Sequence, residues 1–159
     1  MRWRTILPLA ITLLLAGAAA GQAQGRPVSA VGRQNLNFGP VLPGTRTTVS
    51  RLDAVNAGQF EVRGQRLTEV EIQLTLPAVM TSLLGATLPL EFGPADGGIS
   101  STPSVGASQA FDPRVPVRWV LPNAGRAWVF LGGSAVPAPG QAGGTYTASV
   151  VLTVAYTGN

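Results

Sequence analysis

The sequence predicts an all-β sandwich of seven or eight strands. Three observations carry this prediction. The segment Tyr146–Tyr156 alternates without a break. Pro, Gly, Ser and Thr interrupt short apolar stretches about every ten residues. Past the N-terminal segment, no stretch holds a sustained helical period; only Ala78–Leu84, bounded by Pro77 and Gly85, has room for one helical turn.

The terminal segment is the clearest element. Tyr146, Ala148, Val150, Leu152, Val154 and Tyr156 fall on one face of a strand, and Thr147, Ser149, Val151, Thr153 and Ala155 on the other. Successive strand side chains point to opposite faces, so this is a half-buried strand with an apolar inner side. A long regular strand must pair with something, because an open edge recruits another chain. Assembly is therefore the first functional question for this chain.

The remaining elements follow in chain order. Val28 to Phe38 predicts a ragged first strand, and Thr47 to Val55 a second after the turn Leu42-Pro43-Gly44-Thr45. Phe60-Glu61-Val62 is the third, between Gly58 and Gly64. Glu69 to Leu76 alternates best, with Val70, Ile72, Leu74 and Leu76 inward and Glu69, Glu71, Gln73 and Thr75 outward. Leu88 to Phe92 is short. Val115 to Leu121 contains Pro116, which suits a sheet edge or a late strand start. Ala127 to Leu131 sets Trp128 and Phe130 against Ala127, Val129 and Leu131. The count is the one an immunoglobulin-like sandwich uses. Gly93 to Asp112 and Gly132 to Gly144 lack the pattern and read as long end loops.

Residues 1–23 read as a secretory signal. Arg2 and Arg4 open it, Ile6 to Leu15 is a short apolar run, and Ala18 to Ala23 offers small-residue cleavage sites after Ala20 or Ala23. The run is shorter than the roughly 20 residues of a spanning helix. Residues 24–159 then form one secreted domain, found in the periplasm, at the cell surface or outside the cell, with no membrane span after signal removal.

Composition removes whole classes of chemistry. The chain has no Cys, no His and no Lys; all eleven basic residues are Arg. Disulfides, thiolate or imidazole metal sites, and Ser-His or Cys-His nucleophile pairs are excluded. No catalytic residue, cofactor or metal site is expected. Past residue 23, nine Arg face seven acidic residues, a net charge of +2, and the Arg are scattered. Nucleic-acid binding needs a concentrated basic footprint and is not expected. Glu69 and Glu71 lie about 7 Å apart on one strand face, and paired carboxylates can perform glycoside hydrolysis, yet no cleft, aromatic platform or third polar partner accompanies them in the sequence, so they read as the solvated face of a half-buried strand. Asp53, Asp96 and Asp112 lack the clustering of a calcium loop. Trp119 and Trp128 read as packing residues rather than sugar platforms.

Four stretches in order resemble one family. Asn35-Leu36-Asn37-Phe38-Gly39 with Val41-Leu42-Pro43-Gly44 comes first, then Ala57-Gly58-Gln59-Phe60-Glu61-Val62-Arg63-Gly64, then Ile72-Gln73-Leu74-Thr75-Leu76-Pro77. The ending from Gly143 to Tyr156 is the fourth. Together they resemble a large set of uncharacterised secreted bacterial domains, similar to spore coat U-type and other pilin-like proteins. The ending is also similar to chaperone–usher pilins, where a Gly and a Tyr twelve residues apart mark the strand that pairs with the assembly chaperone. Gly144 and Tyr156 have that separation, with three residues following the Tyr where the pilin pattern allows about one.

The resemblance implies a pilin-like sandwich that joins its neighbours by strand exchange. The assembly strand would carry Gly144, Tyr146, Val150, Leu152, Val154 and Tyr156, and a donor segment would use Val28 and Ala30. The implied partners are a second copy or another surface subunit, and a periplasmic chaperone. The expected function is therefore a non-enzymatic surface or fimbria-like subunit. The alternative is a monomeric secreted or periplasmic binding module that uses its two long end loops.

Overall fold

Alternation and turn chemistry produce thirteen strands in a computed structural model that describes residues 25–158. Residues 1–23, read from sequence as a secretory signal, and the expected cleavage sites after Ala20 or Ala23 lie outside the described residues. The strands are β1 (Ser29–Gln34), β2 (Thr47–Val49), β3 (Gly58–Arg63), β4 (Glu69–Thr75), β5 (Val79–Ser82), β6 (Thr87–Glu91) and β7 (Gly97–Ser100). There follow β8 (Gln109–Phe111), β9 (Val117–Val120), β10 (Arg126–Leu131), β11 (Gly133–Ala135), β12 (Tyr146–Thr147) and β13 (Val151–Tyr156). One 3₁₀ turn, Val105–Ala107, is the only helical element among the described residues. No helix among them is long and apolar enough to cross a membrane.

The all-β sandwich is as the sequence predicts, but thirteen strands replace the expected seven or eight. Every pairing is antiparallel, in three sheets ordered β1-β3-β10-β7-β8, β12-β5-β6-β11-β2 and β13-β4-β9. Two causes raise the count. The expected loop Gly93–Asp112 contains β7 and β8, and Gly132–Gly144 contains β11. In addition, long strands break where they pass from one sheet to another. The expected helical turn at Ala78–Leu84 is instead β5 and the tip of its hairpin with β6.

Gly132 marks one such break, between β10 and β11. A Cβ there would stand 2.5 Å from the Val49 carbonyl oxygen and 2.6 Å from the Arg51 nitrogen, so only glycine allows the strand to cross at this point. Leu76-Pro77-Ala78 marks another, between β4 and β5. Pro77 has no N–H to donate to a ladder, and the pairing with the C-terminal ribbon changes register here.

The core lies between the β13-β4-β9 sheet and the β1-β3-β10-β7-β8 sheet. Val62, Val70, Ile72, Leu74, Ile99, Leu121, Ala127, Val129 and Leu131 are buried there together. Without disulfides, this apolar burial, worth about 1.5–3 kcal/mol for each large side chain, supplies the main stabilising term.

Candidate functional site

The predicted terminal strand is a ribbon in two pieces. β13 pairs with β4 from Val151↔Thr75 to Tyr156↔Val70, and β12 pairs with β5 through Tyr146↔Ser82 and Thr147↔Thr81. Between them Ala148–Val150 runs past the Pro77 break. The predicted faces hold from Val150 to Tyr156, whereas Ala148, expected inward, is exposed in the break between the two pieces. Val150, Leu152, Val154 and Tyr156 all pack against the core, while Val151, Thr153 and Ala155 are exposed. The inward side chains are only half-buried, whereas Val70, Ile72 and Leu74 of the neighbouring β4 are fully buried. Among the described residues, β13 is laddered on one side only, by β4, and β1 on one side only, by β3.

β1 and β13 approach closely without a shared ladder, leaving a narrow slot that opens only beyond β13, at Val150. At one end it is closed: the Tyr156 hydroxyl donates to the Arg26 carbonyl oxygen at 2.5 Å and accepts from the Gln65 N–H at 2.6 Å. At the other end it widens into a cleft of about 510 Å³. Leu36, Phe38, Phe60, Phe92, Leu131 and Val150 give this cleft apolar walls, and the Tyr146–Val150 backbone forms one rim. A second cleft of about 460 Å³ shares Leu36, Phe38, Met80 and Tyr146 and is bounded by the loop Gln141–Thr145. Tyr146 fixes that loop, donating to the Ala142 carbonyl oxygen at 2.6 Å and accepting from Gln141 Nε2 at 2.7 Å.

The site residues named from sequence fall on both sides of the slot. Val150, Leu152, Val154 and Tyr156 line up on β13 and the residue before it. Gly144 is exposed, two residues before β12. Val28 and Ala30 pack on the chain's own core, with Ala30 opposite Val62 of β3.

The acidic residues are engaged in local structure. Arg118, opposite Glu71 on β9, reaches Glu71 at 3.3 Å and Glu69 at 3.9 Å, so a guanidinium bridges that carboxylate pair. Asp53 accepts from the Asn56 side chain, which is the largest cause of its lowered pKa, and from the Val55 and Asn56 N–H groups, which lower it further. Asp96 accepts the Gly93 N–H at 2.6 Å. Asp112 accepts from Arg114 at 2.7 and 2.8 Å, which holds its pKa near 2. Among the described residues, no three of His, Cys, Asp and Glu are grouped to hold a metal ion. Trp119 packs against the core from β9, and its indole N–H is buried without a partner among the described residues. Trp128 stands opposite Glu61 on the outer face of β10.

Glu61 is the feature that sequence reasoning passed over. It is 1 % exposed, yet ionised. Arg63 donates to it at 2.8 and 2.9 Å, Arg33 forms a second ion pair, and Arg126 lies 3.7 Å away. The Arg63 hydrogen bonds are the largest cause of a pKa lowered to about 2, outweighing the cost of burial. The signal was present as Glu61 and Arg63 two apart on one strand face. Arg33 and Arg126 come from strands whose pairing the sequence does not reveal. The sequence matches no protein-family model, and no curated protein shows significant similarity to it.

Proposed function

We propose that the chain is a non-enzymatic, exported structural subunit of a bacterial surface or fimbria-like assembly, joined to its neighbours by β-strand pairing. The observation that supports this reading is the apolar cleft of about 510 Å³ between the end of β1 and Tyr146–Val150, where the slot opens beside the unladdered edges of β1 and β13. An extended segment laid in the slot gains main-chain hydrogen bonds from the edge and apolar pockets for alternate side chains. Four such side chains, at about 1.5–3 kcal/mol each, make a long-lived joint. Val28 and Ala30 serve their own core, so the reading assigns the occupant to another subunit, or to a periplasmic chaperone before assembly.

A second reading rests on the cleft bounded by Gln141–Thr145. Its volume suits a small ligand, so a monomeric binding module would use that loop.

Gel electrophoresis of surface and periplasmic fractions, with and without boiling, tests the first reading. A ladder of multimers that collapses only on boiling supports strand-joined assembly. A single monomer band in both lanes, from a domain that melts cooperatively alone, rejects it in favour of the binding module.

A further inference from the structure

The β5–β6 hairpin turns through Leu83-Leu84-Gly85, and both leucines stand in full contact with solvent, at 102 % and 94 % exposure. Scattered apolar residues on a surface are ordinary. Two adjacent leucines with no contact to the body are a different matter, because this turn is well ordered. The Ser82 N–H donates to the Ala86 carbonyl oxygen at 2.9 Å, and the Gly85 N–H to the Ser82 carbonyl oxygen at 3.0 Å. The Ala86 N–H donates to Ser82 Oγ at 3.1 Å. Gly85 closes the turn at φ +83°, where a side chain would be strained. The hairpin thus holds both leucines out rigidly, with little ordering cost left to a binding event.

The surroundings are uncharged. No Asp, Glu or Arg occurs between Glu71 and Glu91. β12, which flanks β5, belongs to a stretch with no charged residue after Arg126. Thr81, Ser82 and Thr87 offer only hydroxyls, and Tyr146 stands beside Ser82 in register. A tip without charges enters an apolar medium with no ion to desolvate.

We propose that this tip is a membrane-contact site: Leu83 and Leu84 enter the headgroup–acyl boundary of a lipid bilayer, with the hydroxyl residues and the Tyr146 ring at headgroup level. A two-residue convex tip leaves a rigid flat partner little area to cover, whereas a fluid bilayer closes around it. With no cation at the tip, contact is driven by apolar burial and does not need anionic lipid. The inference is independent of strand exchange.

The chain has no cysteine, so a single introduced one reports a single position. The chain from residue 24 onward bearing Leu84→Cys, labelled with a polarity-sensitive fluorophore, is mixed with phosphatidylcholine vesicles whose acyl chains are brominated. The expected result is a blue shift with quenching that persists at high salt. The same label at Asn123→Cys stays unquenched, because the β9–β10 turn lies at the other end of the β4–β5 ribbon. Adding Leu83→Ser to the Leu84→Cys chain weakens insertion at least about tenfold. Absence of quenching at position 84, or equal quenching at both positions, overturns the proposal. A blue shift that follows protein concentration without vesicles also overturns it and assigns the tip to a contact between copies.

Discussion

The hydroxyl of Tyr156, three residues from the C-terminus, donates to the carbonyl oxygen of Arg26 at 2.5 Å, 130 positions earlier. The Tyr156 phenol oxygen in turn accepts the Gln65 N–H at 2.6 Å. One phenol thus ties the entry to β1, the β3–β4 turn and the end of β13, and it shuts one end of the slot. Tyr156→Phe keeps the ring and removes both bonds. The expected loss is about 1–2 kcal/mol, read as a lower urea midpoint with an unchanged slope. An unchanged midpoint means the hydroxyl contributes nothing.

Two neighbouring substitutions compare the inward and outward faces of β13. Leu152→Asp places a charge on the inward face opposite Leu74, and Thr153→Asp places one on the exposed face of the same strand. Strand-joined assembly predicts that the first abolishes boiling-sensitive multimers and the second leaves them intact. Loss of multimers in both variants would point to the open edge itself rather than to the slot.

Glu61 makes the fold acid-sensitive in a defined window. Its pKa drops from the ordinary 4.5 to about 2 on folding, chiefly through Arg63. A depressed carboxylate stabilises fully above its unfolded pKa and loses that contribution as pH falls toward its folded one. Urea midpoints should therefore fall between pH 4.5 and pH 2, and Glu61→Gln should flatten part of that fall. Asp112, also held near 2, keeps part of the slope in the variant. At neutral pH Glu61→Gln costs about 1–3 kcal/mol. The lower range for a broken buried pair applies because the three arginines are 35–52 % exposed and water can solvate them.

Gly132→Ala tests the crossing between sheets. Its Cβ would meet backbone rather than a movable side chain, so the strands must separate. A loss of about 3 kcal/mol is expected, at the upper end of overpacking costs, and it should appear as a lower thermal midpoint. An alanine tolerated without effect would show that the crossing can relax.

Much of this architecture was readable from residues, and the failures have physical causes. Val150–Tyr156 declared its two faces because one is wet and the other packed, and period-2 alternation survives any choice of partner. β7 stayed hidden because two of its four residues are Gly97 and Gly98. A Cβ on these would lie 2.8 Å from the Phe111 oxygen and 2.9 Å from Ser108 Oγ, so close packing has removed the side chains that advertise a strand. Ala78–Leu84 looked helical because its apolar residues serve two environments, a paired strand and a bare turn. Val150, Leu152, Val154 and Tyr156 were legible as a face. The cleft beside them depends on Leu36, Phe60, Phe92 and Leu131 converging from four separate segments, which no local pattern encodes.

The six residues of β13, Val151-Leu152-Thr153-Val154-Ala155-Tyr156, contain no charge, no proline and no glycine. Such a segment has the composition of a steric zipper, and no Arg, Asp or Glu after Arg126 acts as a gatekeeper against it. In newly made copies, before β13 is paired, this segment is therefore an aggregation hazard. Overproduction in a cytoplasm should send the chain into inclusion bodies, and prompt covering of β13 becomes a condition of its solubility.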